Sequence, residues 1–142
     1  MNMNETWLLE NSNILIKHIF KKDGDYHNEL LINDEVQYWL SQLKSRWENN
    51  EIGAVHGSHD YRMENILGKC SILGLSKEIP VFNQYMKFIL DFLNRHINKL
   101  NDNELSFGKI CSYRDYETVL SCFLPMLGYT DEQSVLYITE KG

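Results

Sequence analysis

Apolar residues along this chain recur at three- and four-residue intervals and rarely alternate, the spacing of helices that bury one face. The clearest case opens at Asn33, an N-cap residue type followed by Asp34 and Glu35, whose charges suit the first turn. Val36, Trp39, Leu40, Leu43 and Trp47 then form one stripe, and Asn49 and Asn50 ahead of Gly53 predict its end. A second stripe runs from Asp60 through Met63, Ile66, Leu67, Cys70 and Leu73 to Gly74, a residue type that commonly closes helices at positive φ. The next helix is expected to be capped by Ser76, with Glu78 and Pro80 in its first turn. From Val81 to Ile97, its residues Phe82, Tyr85, Met86, Phe88, Ile89, Phe92 and Leu93 spread over more than one face, which predicts cover on two sides.

Asn98 to Asn103 is expected to be a linker, after which Tyr116, Val119, Leu120, Phe123, Leu124 and Leu127 lead to Gly128. Thr130, Asp131 and Glu132 then open a further helix. Gly74 and Gly128 lie 54 residues apart, and at that offset Ile66 falls on Leu120, Cys70 on Leu124, Leu73 on Leu127 and Glu78 on Glu132. This echo predicts antiparallel helical hairpins at about 56–102 and 110–142, in which no hairpin buries its faces alone. Pro125 denies its helix a hydrogen bond to Ser121, so a kink is expected there. Near the start, Asn11 and Ser12 could cap a helix carrying Ile14, Leu15, Ile16, Ile19 and Phe20. Lys22 to Asp25 has turn chemistry, and Tyr26 to Ile32 is either a short helix or irregular. The fold class expected is all-α, a single helical domain over 1–142.

A chain of 142 residues, 43% hydrophobic and 24% charged, is expected to fold as one globular domain. Its net charge of −6 and lack of a basic stripe disfavour nucleic acid. No apolar run approaches a membrane span, and the start, Met1 to Glu5, has no secretory signature. The odd set Cys70, Cys111 and Cys122, without paired spacing, suits free thiols in a reducing cytosol. A cytoplasmic location is expected.

Two polar segments are the candidate ligand-binding positions. His56, Gly57, Ser58, His59, Asp60, Tyr61 and Arg62 directly precede a helix, where free backbone N–H groups could receive an anion. His56 and His59 could also serve as metal ligands, joined by Cys111. The plainer reading is that Ser58 or Asp60 caps the helix and the imidazoles lie on the surface. The second segment, Cys111 to Tyr116, carries Tyr113, Arg114 and Asp115 and would fall at the same end of the repeat. No fixed ligand spacing accompanies the histidines, so no metal site and no cofactor is assigned. Asp23 and Asp25 around Gly24 lack the later positions of a calcium loop. No phosphate cradle, nucleophile elbow or paired Glu/His helix motif occurs. The aromatic side chains Trp39, Trp47, Phe82, Tyr85, Phe88 and Phe92 could line a cavity, but their helical spacing favours core.

The run Trp7, Leu8, Leu9, Glu10, Asn11, Ser12 and Asn13, the Leu73-Gly74-Leu75 and Leu127-Gly128-Tyr129 helix ends and the two polar segments carry a resemblance. They resemble the N-terminal part of bacterial proteins similar to squalene cyclases and prenyltransferases. The resemblance implies an α/α toroid, concentric inner and outer helices around a central cavity, of which this chain would be a partial array. The aspartate-rich acid motif, the Gln/Trp repeats and the zinc-binding Asp, Cys and His of those families have no counterpart here. The chain would then be either a fragment of a longer toroid or a shrunken relative.

The function expected is a helical-repeat binding protein that engages a protein partner or a small apolar ligand and self-associates through its open end. One alternative is an enzyme related to terpenoid cyclases, with His59, Asp60, Arg114 and Asp115 at a cavity mouth. Another is an inhibitory or accessory protein acting by surface occupancy.

Overall fold

The computed structural model describes residues 24–96 and 113–141. The expected N-terminal helix, the Asn98–Asn103 linker, Ile97 and Cys111 lie outside the described residues. The chain is all-α: six helices and no strand among the described residues. They are α1 (Gly24–Leu31), α2 (Asp34–Asn49), α3 (Met63–Ile72), α4 (Pro80–His96), α5 (Tyr113–Met126) and α6 (Gln133–Lys141). No helix among them is long and apolar enough to cross a membrane.

Helix α1 is therefore helical from Gly24 onward, where turn chemistry alone suggested a loop. Helix α2 forms as its sequence predicts. The Asn33 side chain accepts from the Glu35 and Val36 N–H groups, and Asn50 ends the helix in the left-handed conformation at φ 48°. Its stripe Val36, Trp39, Leu40 and Leu43 is buried. Helix α4 begins later than the Ser76 cap suggested. Ser76 Oγ accepts from the Glu78 N–H inside the preceding turn, and Pro80 occupies the first helical position. Helix α5 continues through Pro125 to Met126, so Pro125 does not end it.

The two Leu-Gly turns close their helices with the same hydrogen bonds. Leu75 N–H donates to Cys70 C=O and Gly74 N–H to Ser71 C=O; Tyr129 N–H donates to Leu124 C=O and Gly128 N–H to Pro125 C=O. Both sets are the paired bonds of a Schellman cap, with the glycine at φ 83° or 93°. The turns are also joined to each other. Lys77 N–H donates to Leu127 C=O at 2.9 Å, satisfying a helix-end carbonyl that has no intrahelical partner. Lys77 Nζ lies 3.6 Å from Asp131, and Tyr129 donates its hydroxyl hydrogen to Asn83 Oδ1 at 2.8 Å. Burial, and then the Glu132 charge, push the Tyr129 phenol pKa upward, so it stays a donor. The correspondence slips by one residue beyond the turns. Ile79 and Glu132, which accept the first bonds of α4 and α6 from Asn83 and Leu136, are 53 apart.

Helices α2, α4 and α6 form one layer and α3 and α5 the other, with α2 against α3 and α5 against α6 closing the bundle. Arg46 of α2 meets Tyr61, and Trp39 meets Lys69, so α2 and α3 are antiparallel. Helices α3 and α4 share a turn but do not lie alongside each other, unlike α5 and α6. The reason is side-chain size. Helix α4 buries Phe82, Met86, Phe88, Ile89 and Phe92, which hold its backbone off the seam between α3 and α5, whereas α6 buries Ser134, Val135 and Ile138. The Phe92 ring reaches the α5 layer, 5.3 Å from Tyr116. Trp47 and Tyr85 likewise meet at 5.1 Å between α2 and α4, so these aromatics fill the core. Cys70 is a fully buried free thiol whose pKa burial pushes up to about 12.

Substituting alanine at the turns separates strain from packing. Gly74→Ala should lower stability in urea denaturation by about 1–2 kcal/mol, the cost of a left-handed Cβ. Gly128→Ala should cost more, because its Cβ would also lie 3.3 Å from Lys77 Cγ.

Candidate functional site

The segment between α2 and α3 folds back over the start of α3. Met63 N–H donates to Ala54 C=O and Glu64 N–H to Val55 C=O, so the first helical donors are taken by the chain's own backbone. This corrects the anion-cradle expectation: the N–H groups it required are already bonded. It corrects the capping expectation too. Arg62 is the N-cap residue, and no side chain caps the helix.

Glu64, in the first turn of α3, organises the loop. One carboxylate oxygen accepts from Gly57 N–H at 2.9 Å, and the other lies 2.7 Å from His56 Nδ1. The bond with His56 is the main reason its pKa is held below the usual carboxylate value, with the Gly57 N–H adding to it against partial desolvation. Asn65 clamps the same loop, donating to the carbonyls of Gly57 and His59 at 2.7 and 2.8 Å. The far nitrogen of His56 is 3.8 Å from Asp115 in the first turn of α5. The imidazole thus stands between carboxylates from two helices.

The other candidates go elsewhere. His59 stacks on Tyr61 with ring centres 5.1 Å apart. The Arg62 guanidinium sits 4.9 Å from the centre of the Tyr61 ring, and its Nε is buried without a hydrogen-bond partner. Asp60 accepts the Tyr38 hydroxyl hydrogen at 2.6 Å, which raises the Tyr38 pKa. Tyr113 and Arg114 belong to the first turn of α5 itself and do not precede it; their side chains lie outside the described set. His56 and His59 therefore have separate partners. Among the described residues no three His, Cys, Asp or Glu side chains converge on a possible metal position. No hydroxyl or thiol of those residues hydrogen-bonds to His56.

Beside this loop an open cavity of about 300 Å³ lies between α2 and α3. Ser58, Asp60 and Glu64 border one end, Asn65, Gly68 and Lys69 the middle, and Trp39 and Ile72 supply its apolar wall. Trp39, Glu64, Asn65 and Lys69 were not among the sequence-derived site residues. Their signal was the line Asn65, Lys69 and the neighbouring Gly68 and Ile72 at helical spacing, legible only once the loop is known to fold beside that face.

Compared with known protein families, with curated proteins and with solved structures, the chain matches none.

Replacing Glu64 tests the loop's anchor. Glu64→Gln should lower stability at neutral pH by about 1 kcal/mol, the net worth of a charge-assisted bond at a partly exposed site. Because the folded-state pKa is depressed, that difference should be full above the ordinary glutamate range and vanish as pH falls through the folded value. Paired urea titrations of both proteins across pH check it.

Proposed function

We propose that the protein is a non-catalytic helical binding protein that self-associates through one end of its bundle. The observation that carries this reading is where the exposed apolar side chains gather. The Leu-Gly turns, the starts of α4 and α6 and, because α2 runs antiparallel to α3, the start of α2 all share one end. That end carries Ile32 at 79% exposure, Ile72 at 72%, Met126 at 65% and Leu136 at 45%, with Tyr137 beside them. Ile72 and Met126 hold the same position in the two turns, one residue before the closing leucine, so the exposed pair recurs with the turn. Apolar side chains gathered at one end of a small domain favour a partner surface.

A second copy is the occupant that fits. The same end carries Lys77 and Asp131, so it presents both charge signs and can pair with itself about a two-fold axis. Two turns with the same caps and a direct bond between them support kinship with the α/α toroid proteins, and in such arrays an end layer needs a cover. A terpenoid cyclase reading has weaker support: the cavity beside Asp60 is open and lined by charged and amide groups, unsuited to shielding a carbocation from water. Free Cys70 and Cys122 suit a reducing cytosol.

Sedimentation velocity over micromolar concentrations should show a concentration-dependent dimer. Met126→Glu with Leu136→Asp, both at exposed positions, should return a folded monomer. A wild-type protein that stays monomeric throughout would overturn the proposal and leave partner occupancy as the surviving use of this end.

A further inference from the structure

The cavity between α2 and α3 has an ordered chemistry that shares only Ile72 with the proposed self-association surface. Its α3 wall is a single helical stripe, Glu64 and Asn65, then Gly68 and Lys69, then Ile72. Nine residues of helix, eight rises, extend it over about 12 Å. Acid stands at the loop end, base in the middle and hydrocarbon at the far end.

The groups left for a ligand are fewer than the lining suggests. Both Glu64 oxygens are engaged by Gly57 and His56, and the Asn65 amide hydrogens hold two loop carbonyls. Asp60 is bonded through Oδ2 to Tyr38, and among the described residues no hydrogen bond engages its Oδ1. Lys69 has no carboxylate within ion-pair distance among the described residues, and its ammonium lies 6.0 Å from the Trp39 ring. Ser58 adds a hydroxyl.

These groups select by exclusion. A simple anion would meet the Asp60 and Glu64 carboxylates, and a simple cation would meet Lys69 already placed over the indole. A wholly apolar molecule would strip water from Asp60, Lys69 and Ser58 without replacing it. A molecule bearing an ammonium and a carboxylate on the same carbon satisfies both charges. Asp60 and Lys69 line the same cavity, so one ligand that carries both charges can face both groups.

We propose that this cavity binds a free α-amino acid with an aliphatic side chain: ammonium on Asp60, carboxylate on Lys69, side chain along Trp39 and Ile72. A volume of about 300 Å³ is at the small end for ligand sites and fits a single amino acid. The Tyr38 hydroxyl is a positioning group, since its bond fixes the Asp60 carboxylate toward the cavity.

The test is titration of the isotope-labelled protein with L-leucine, N-acetyl-L-leucine and L-leucinamide, followed by amide and indole NMR shifts. L-leucine should give saturable shifts centred on Ser58, Asp60, Gly68, Lys69 and the Trp39 indole. The acetylated compound lacks the ammonium and the amide lacks the carboxylate, so each should bind about tenfold more weakly or worse. Asp60→Asn and Lys69→Met, both at exposed positions that leave the core intact, should each weaken L-leucine by a similar factor. Met126→Glu, at a position outside the cavity's lining, should leave a saturable L-leucine site in place. Absence of saturable L-leucine shifts, equal binding of either blocked compound, or unchanged affinity in Lys69→Met would overturn the proposal.

Discussion

The hydrogen bond from Lys77 N–H to Leu127 C=O ties together the two turns on which the bundle is organised. Each turn depends on a glycine at positive φ, and each sends the following helix across to the other layer. Joining them sets α3 and α5 side by side in the same direction. At Gly68 the two helices meet through the Phe123 ring, which a Cβ there would touch in ordinary van der Waals contact at 3.4 Å. Helix α4, launched from the first turn, joins the layer of α2 and α6, and its Phe92 ring reaches Tyr116 of α5.

That arrangement gives the loop at the opposite end its neighbours. With α3 and α5 in register, His56 falls between Glu64 and Asp115, and the polar run becomes part of the scaffold. Residues that looked chemically available are spent on holding the loop. Backbone carbonyls of Ala54 and Val55 occupy the helix N-terminus, a position where a side-chain cap or an anion would otherwise be required. The side chains left for binding are those facing the α2 side, and their mixed charge is the basis for a zwitterionic ligand.

The bundle's two ends thus differ in character. One is polar and internally bonded. The other gathers exposed hydrocarbon at the turns, because a Schellman cap places the residue before its closing leucine on the outside in both copies. Exposure of Ile72 and Met126 is in this sense a consequence of the turn geometry, repeated because the turn is repeated.

Helical period, the Asn33 cap, the Asn50 end and the two glycine closures were all legible in the amino-acid sequence, because each depends on contacts within a few residues. The 54-residue echo was legible for the same reason, and its one-residue slip after the turns was not, since the count of loop residues does not show where the next helix starts. Asp60 and Ser58 had the right chemistry for caps, but the Ala54 and Val55 carbonyls take the first N–H groups of α3 and Asp60 accepts from Tyr38, whereas Ser76 bonds within its own turn. Which helices became neighbours was likewise decided by tertiary packing: α3 and α4 are adjacent along the chain, yet bulky inward side chains keep them apart. Local hydrogen bonding and periodicity determined the elements. Only the three-dimensional fold decided which polar groups were consumed in holding the loop and which remained facing solvent, because that depends on side chains brought together across many residues.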